Sequence, residues 1–187
     1  MADLIDSYSE TNQDSVVSIS SGGIDYMNGQ SFMVGSSPMN LTSCKFMIRK
    51  NNLYSGTAYA KLFAHTGTYG AGGTGTGDAG GDSLAVSTGI AYTSLPTSLT
   101  LTEFSFPTPY TLSANTPYVI LLFLNGGDDN GHDLQIGYDA SSPSHAGNRV
   151  RVDRNISWTS ETGNDTIFYV YGEPAVTANT TNFFQLF

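Results

Sequence analysis

The sequence predicts an all-β fold: a two-sheet antiparallel β-sandwich of jelly-roll type, or a closed barrel, with extended terminal segments. Three observations carry this. Apolar residues alternate with period two along the chain, and no long window free of Gly and Pro places them at i, i+3, i+4 and i+7. Charged residues make up only 12% of the 187 residues, while aromatics reach 12% and glycines number 21, a balance that suits strands and turns better than helices. Turn-forming clusters ("PTPY", "SANTP", "NGGDDNG", "SSPSHAGN") separate the apolar runs at short intervals. The length fits one domain that buries its core without disulfides or metals.

Each element rests on its own pattern. "SCKFMIRK" sets Cys44, Phe46 and Ile48 on one face against Lys45, Met47 and Arg49, and "GTAYAKLFA" sets Ala58, Ala60 and Leu62 against Tyr59, Lys61 and Phe63. The intervening "NNLYSG" supplies Asn and Gly for a turn, so these two strands are expected to pair as a hairpin. Further strands are expected at 31–34, 84–92, 100–106, 118–124, 134–138, 149–152 and 167–171. The run "YVILLFL" at 118–124 is apolar throughout, too short to cross a membrane and suited to a central strand covered on both faces. The organisation expected is an N-terminal segment at 1–29, a sandwich at 30–173 and a C-terminal arm at 174–187. In the first of these, Val16, Val17 and Ile19 could add an edge strand; in the last, Phe183, Phe184, Leu186 and Phe187 put four large apolar groups among the final five residues. A terminus of that composition either folds back on its own sheet or docks on another subunit or a partner.

The stretch "HTGTYGAGGTGTGDAGGD" contains Gly75-Thr-Gly77-Asp-Ala-Gly80, which satisfies the spacing G-x-G-x-x-G. Nucleotide binding would require a helix directly after it, with its N-terminus aimed at the phosphates, but the next residues are the β-branched "GDSLAVSTGIAYTS". The stretch therefore reads as a mobile or close-packed surface loop, and no cofactor is expected. Catalytic signatures are absent too: no H-E-x-x-H, no G-x-S-x-G, and His65, His132 and His145 all fall in segments expected to be loops. No enzymatic activity is expected. "NGGDDNGHD" alternates Asp128, Asn130 and His132 like the start of a calcium loop, but Asp133 stands where an EF-hand needs Gly and the closing Glu is missing; an acidic solvated turn is preferred to a cation near Asp128, Asp129 and Asp133.

A formal net charge of −9 opposes binding to nucleic acid or an anionic membrane. "RVRVDR" places Arg149, Arg151 and Asp153 on one face and Val150 and Val152 on the other. An exposed arginine pair on an edge strand would suit an acidic protein surface, and would equally discourage edge-to-edge aggregation. The first basic residue is Lys45, and the opening 22 residues carry no secretion pattern, so retention in a cytoplasm is expected. Cys44, the single cysteine, reads as a small buried apolar residue. Tyr26, Tyr54, Tyr69, Tyr92, Tyr110, Tyr138 and Trp158 fall near loops or strand ends, where aromatic faces can stack on sugar rings; the commoner fate of a lone Trp is to cap a core.

Several blocks in order, "GQSF", "LTSCKFMIRKNNLYSGTAYAKLFA", "DSLAVST", "FSFPTPYTLSANTPYVILL" and "ISWTSETGNDTIFYVYGE", resemble a jelly-roll-like β-sandwich module of bacteriophage virion proteins (capsid decoration, cement or fibre proteins) that also occurs in bacterial surface proteins. The resemblance covers about 30–173, describes strands and turns, and carries no functional residue across. It implies binding or structural work: a virion protein made in the host cytoplasm that attaches to the major capsid protein or another virion protein, as a homo-oligomer, with a trimer as the family's guide. Phe183, Phe184, Leu186, Phe187, Arg149 and Arg151 are the expected partner-binding residues. The alternative is a glycan-binding module or fibre component that recognises host carbohydrate through Tyr69, Tyr110 or Trp158.

Overall fold

The structure is a computed structural model that describes residues 2–19, 26–52, 55–126, 133–153 and 157–175. Fifteen strands lie among them: β1 (Asp3–Tyr8), β2 (Ser15–Ile19), β3 (Tyr26–Met33), β4 (Met39–Asn51), β5 (Thr57–Thr66), β6 (Thr74–Gly75), β7 (Ala85–Val86), β8 (Ile90–Ala91), β9 (Thr100–Leu112), β10 (Pro117–Asn125), β11 (Asp133–Asp139), β12 (Arg149–Asp153), β13 (Ser157–Glu161), β14 (Asp165–Thr166) and β15 (Phe168–Pro174). One sheet runs β1-β15-β4-β11-β14, with β2 on β11 and β9 on β4; the other runs β13-β12-β3-β10-β5-β6, with β7 and β8 also on β5. The named strands pair antiparallel throughout, and the fold is the expected all-β sandwich.

The main core lies between the sheets. Cys44, Phe46, Ile48, Phe104, Phe168 and Val170 face it from the first sheet, and Phe32, Ala58, Ala60, Leu62, Ile120 and Leu122 from the second. The period-two faces of β4 and β5 are therefore correct, but the hairpin is not. β4 pairs with β9, β15 and β11, while β5 pairs with β10, so the chain between them passes from one sheet to the other. Alternation fixes which side of a strand is buried and leaves open which strand lies beside it. Asn52 at φ 51° and Gly56 at φ 105° supply the expected turn conformations, which serve this crossing.

β10 is covered on both faces, as expected. Its even-numbered residues enter the main core, while Val119 and Leu121 join Met27, Phe63, Ala79, Val150 and Val152 in a second cluster on the outer side of the second sheet. The glycine-rich stretch roofs that cluster. Ala79 is buried in it, Lys61 Nζ donates to the carbonyls of Ala79 (3.1 Å) and Gly80 (3.1 Å), and Trp158 Nε1 donates to the carbonyl of Gly77 (2.9 Å). Trp158 sets its ring against Phe63 with centroids 5.2 Å apart and an interplanar angle of 77°. Of the two readings of the loop, close packing is the one observed, and Trp158 caps a core.

Three other boundaries differ from expectation. The region 84–92 yields only the two-residue strands β7 and β8, and Gly89 between them lies against the Tyr59 ring, where a Cβ would stand 2.6 Å from Cε1. "PTPY" is no turn: β9 continues through it to Leu112, and the register with β4 shifts there, leaving Pro107 and Pro109 exposed on a strand that pairs only with β4. Such a position tolerates a missing N–H. At the N-terminus, β1 pairs with β15 and β2 with β11, so both belong to the first sheet; the expected boundary at 29 falls inside β3, while Val16, Val17 and Ile19 do form the edge strand β2.

Candidate functional site

Where one end of β3 meets β1, the sandwich interior changes from apolar to polar. Gln30 and Asn28 stand opposite Ile120 and Leu122 of β10, and Arg149 and Arg151 stand opposite Gln30 and Asn28. Cross-strand partners share a face, so both arginines point between the sheets. This corrects the expectation of an exposed pair on an edge strand. β12 lies between β3 and β13, and Arg149 is only 5% exposed. Its guanidinium donates to Glu161 Oε2 (2.5 Å) and Asn28 Oδ1 (2.8 Å) and lies over the Tyr138 ring of the opposite sheet, 4.5 Å from the centroid. Burial lowers the pKa of Arg149, and the Glu161 carboxylate opposes that shift. Arg151 is the more open of the two, 3.5 Å from Glu161 and 3.6 Å from Asp153.

The polar seam continues through Gln30. Its carbonyl oxygen accepts from the Thr166 N–H (2.8 Å), so its amide nitrogen is free to donate to Asp165 Oδ1 (2.8 Å) and His145 Nδ1 (3.1 Å). The Gly147 N–H also donates to His145 Nδ1 (3.0 Å). A nitrogen that faces two donors is an acceptor, which puts the imidazole proton on Nε2, where Asp6 Oδ1 accepts it at 3.1 Å. Asp6 further accepts from the N–H groups of Ser7 (2.8 Å) and Met33 (3.0 Å), joining β1 to β3 across the two sheets. Asp165 Oδ2 accepts the His145 N–H (2.8 Å), and burial raises the Asp165 pKa. Beside them Tyr8 donates to Asp139 Oδ2 (2.7 Å), whose other oxygen takes the N–H groups of Ser141 (3.0 Å) and Ser142 (3.0 Å). Burial pushes Asp139 up, but these three donors outweigh it and its pKa lies below the ordinary carboxylate range.

Above the seam opens a cleft of about 540 Å³, lined by Ile5, Asp6, Ser7, Tyr8, Met33, Gly35, Tyr69, Ser144, His145 and Ala146. Its walls come from β1, the end of β3, the start of the glycine-rich stretch and the loop before β12. The packing of these segments is tight: a Cβ on Gly70 would stand 2.4 Å from the Ala146 carbonyl oxygen. An aspartate, a histidine and a serine lie side by side along the cleft. Both His145 nitrogens are engaged with protein groups, and the Ser144 hydroxyl faces Tyr8 at 3.4 Å. The arrangement locks a loop to two sheets and presents a rigid, concave surface.

The remaining candidates are scattered. Phe183, Phe184, Leu186 and Phe187 lie outside the described residues, as do Asp128, Asp129 and His132. Asp133 is buried at the start of β11, and among the described residues no group of three or more His, Cys, Asp or Glu is placed to hold a metal ion. His65 is at the end of β5 and not in a loop, half-buried beside Tyr69, and burial lowers its pKa. Of the three aromatics expected for sugar, Tyr110 packs on Tyr118 and Trp158 on Phe63; Tyr69 alone lines the cleft. Asp6, Tyr8, Gln30, Asp139 and Asp165 carry no local signal of a site, since the side-chain bonds that bring them together (Tyr8 to Asp139, Gln30 to His145 and to Asp165, His145 to Asp6) span 115 to 139 positions. Among the described residues no helix is long and apolar enough to cross a membrane. Comparison with known protein families and with curated proteins finds no match.

Proposed function

We propose that this chain is a bacteriophage virion structural protein, a capsid decoration protein that binds the capsid surface through its C-terminal arm and presents the sandwich outward. The observation that carries the reading is the contrast between the rigid body, whose polar side chains bond to one another, and an apolar end, Phe183, Phe184, Leu186 and Phe187, that comes after a polar spacer. The block resemblance supports the same reading. Burying one such side chain in a partner contributes about 1.5–3 kcal/mol before ordering costs. The polar seam suits this work, because a protein that braces a shell gains from a body that does not deform.

The test is solution mass by light scattering on the full chain and on a chain ending at Pro174, together with co-sedimentation of each with capsids of the host phage. Attachment of the full chain that truncation abolishes supports the arm. Equal attachment of both forms, or of neither, sinks it. One observation favours a second reading, recognition of host carbohydrate: Tyr69 sits in a cleft with hydroxyl and carboxylate groups at its rim. A glycan array reports on that directly.

A further inference from the structure

The cleft beside β1 has a chemistry of its own. Ile5, Met33 and Ala146 give its lining an apolar part, and Tyr69 adds an aromatic ring. His145 turns the N–H of Nε2 toward Asp6, and the other ionisable groups that line the cleft, Asp6, Tyr8 and Tyr69, are negative when charged. Asp6 lines it with 22% of its side chain exposed, Asp165 stands one hydrogen bond behind His145, and Asp139 one behind Tyr8. None of the lining residues is Lys or Arg. Burial pushes the Tyr69 hydroxyl pKa up, and the charges of Asp6 and Asp165 push it further. Such a surface repels anions and suits a long cationic side chain, with its stem against Ile5, Met33 and Ala146, its plane on the tyrosine ring and its charge toward Asp6.

From this complementarity we infer that the cleft lined by Ile5, Asp6, Met33, Tyr69 and Ala146 is a docking site for an arginine side chain of a partner protein. The inference rests on the reading of this chain as a protein-binding virion component, and it places a second contact on the body apart from the arm. Asp6 is preorganised for the role. The N–H groups of Ser7 and Met33 and the His145 imidazole fix its carboxylate, so binding an arginine does not require ordering it first.

The experiment is a titration of the isotope-labelled full chain with acetyl-Gly-Arg-Gly-amide, monitored by backbone amide shifts. The comparison peptide carries neutral, nearly isosteric citrulline, and a panel of neutral oligosaccharides is titrated in parallel. Saturable shifts confined to residues 5–8, 33–35, 69 and 144–146 are expected, with affinity for the citrulline peptide lower by about fivefold or more. Tyr69→Leu and Ala146→Arg, which leave the seam intact, are both expected to weaken the arginine response; Asp6→Asn is expected to abolish it if that variant folds. No saturable response at the cleft, an equal response to citrulline, or occupation of the cleft by a saccharide instead overturns the proposal. The capsid co-sedimentation above depends on the arm, so failure of the cleft and failure of the virion reading appear in separate assays.

Discussion

Replacing Gly75 by alanine tests whether the glycine-rich stretch is a packed roof. An added Cβ would stand 2.3 Å from Cη2 and 2.3 Å from Cζ3 of Trp158. Carbon atoms in contact sit about 3.5–4.0 Å apart, so the indole or the loop has to move by more than an ångström. Gly75 is not at positive φ, so alanine brings no backbone strain and the whole effect is steric. Moving the indole gives up its edge-to-face contact with Phe63, about 0.5–1.5 kcal/mol. It also gives up the bond to Gly77, about 0.5–1.5 kcal/mol. The expected loss is about 2 kcal/mol, or about 4–8 °C in Tm for a domain of this size. Trp158 is the only tryptophan, so its emission reports the displacement without interference and is expected to shift to the red. Gly81, in the same stretch with no atom within 4 Å of a Cβ and no positive φ, is the control, and Gly81→Ala is expected to be neutral or stabilising by up to about 1 kcal/mol. A Gly75→Ala protein that keeps both the wild-type Tm and the wild-type emission would refute the roof.

Three more predictions concern the interior. Arg149→Ala strands Glu161 and Asn28 in the seam and is expected to cost about 3 kcal/mol in urea unfolding, whereas Arg151→Ala, at a half-open position, is expected to cost under about 1 kcal/mol. Cys44 is fully buried and burial raises its thiol pKa, so a thiol reagent is expected to leave the folded protein unlabelled and to react only on unfolding. Asp139→Asn is expected to cost about 1–3 kcal/mol at neutral pH. Because the folded pKa of Asp139 is depressed, its contribution is present above the unfolded value of about 3.9 and is lost as pH falls through the folded value, so the gap between variant and wild type should narrow below about pH 4.

Much of the fold is legible in the chain because burial on one face of a strand is a local pattern. Cys44, Phe46 and Ile48, or the unbroken 118–124 run, announce their faces without reference to anything distant, and the structure buries those faces. Neighbours are not legible. Asn52 and Gly56 signal a turn equally well for a hairpin and for a crossing between sheets, and only the packing of β4 and β5 from opposite sides of one core selects the crossing. The arginines make the same point. Alternation puts Arg149 and Arg151 together on one face, and the pairing of β12 with β3 makes that face the interior. The cleft depends wholly on long-range contacts, since His145 meets Asp6 and Gln30 over separations of 139 and 115 residues. The all-β class, the buried faces and the net negative charge need only the chain, because period, composition and charge act locally or in sum. Strand order, the roof over the second core and the polar seam come from folding in three dimensions, because each arises from contacts between segments whose local patterns are compatible with several neighbours.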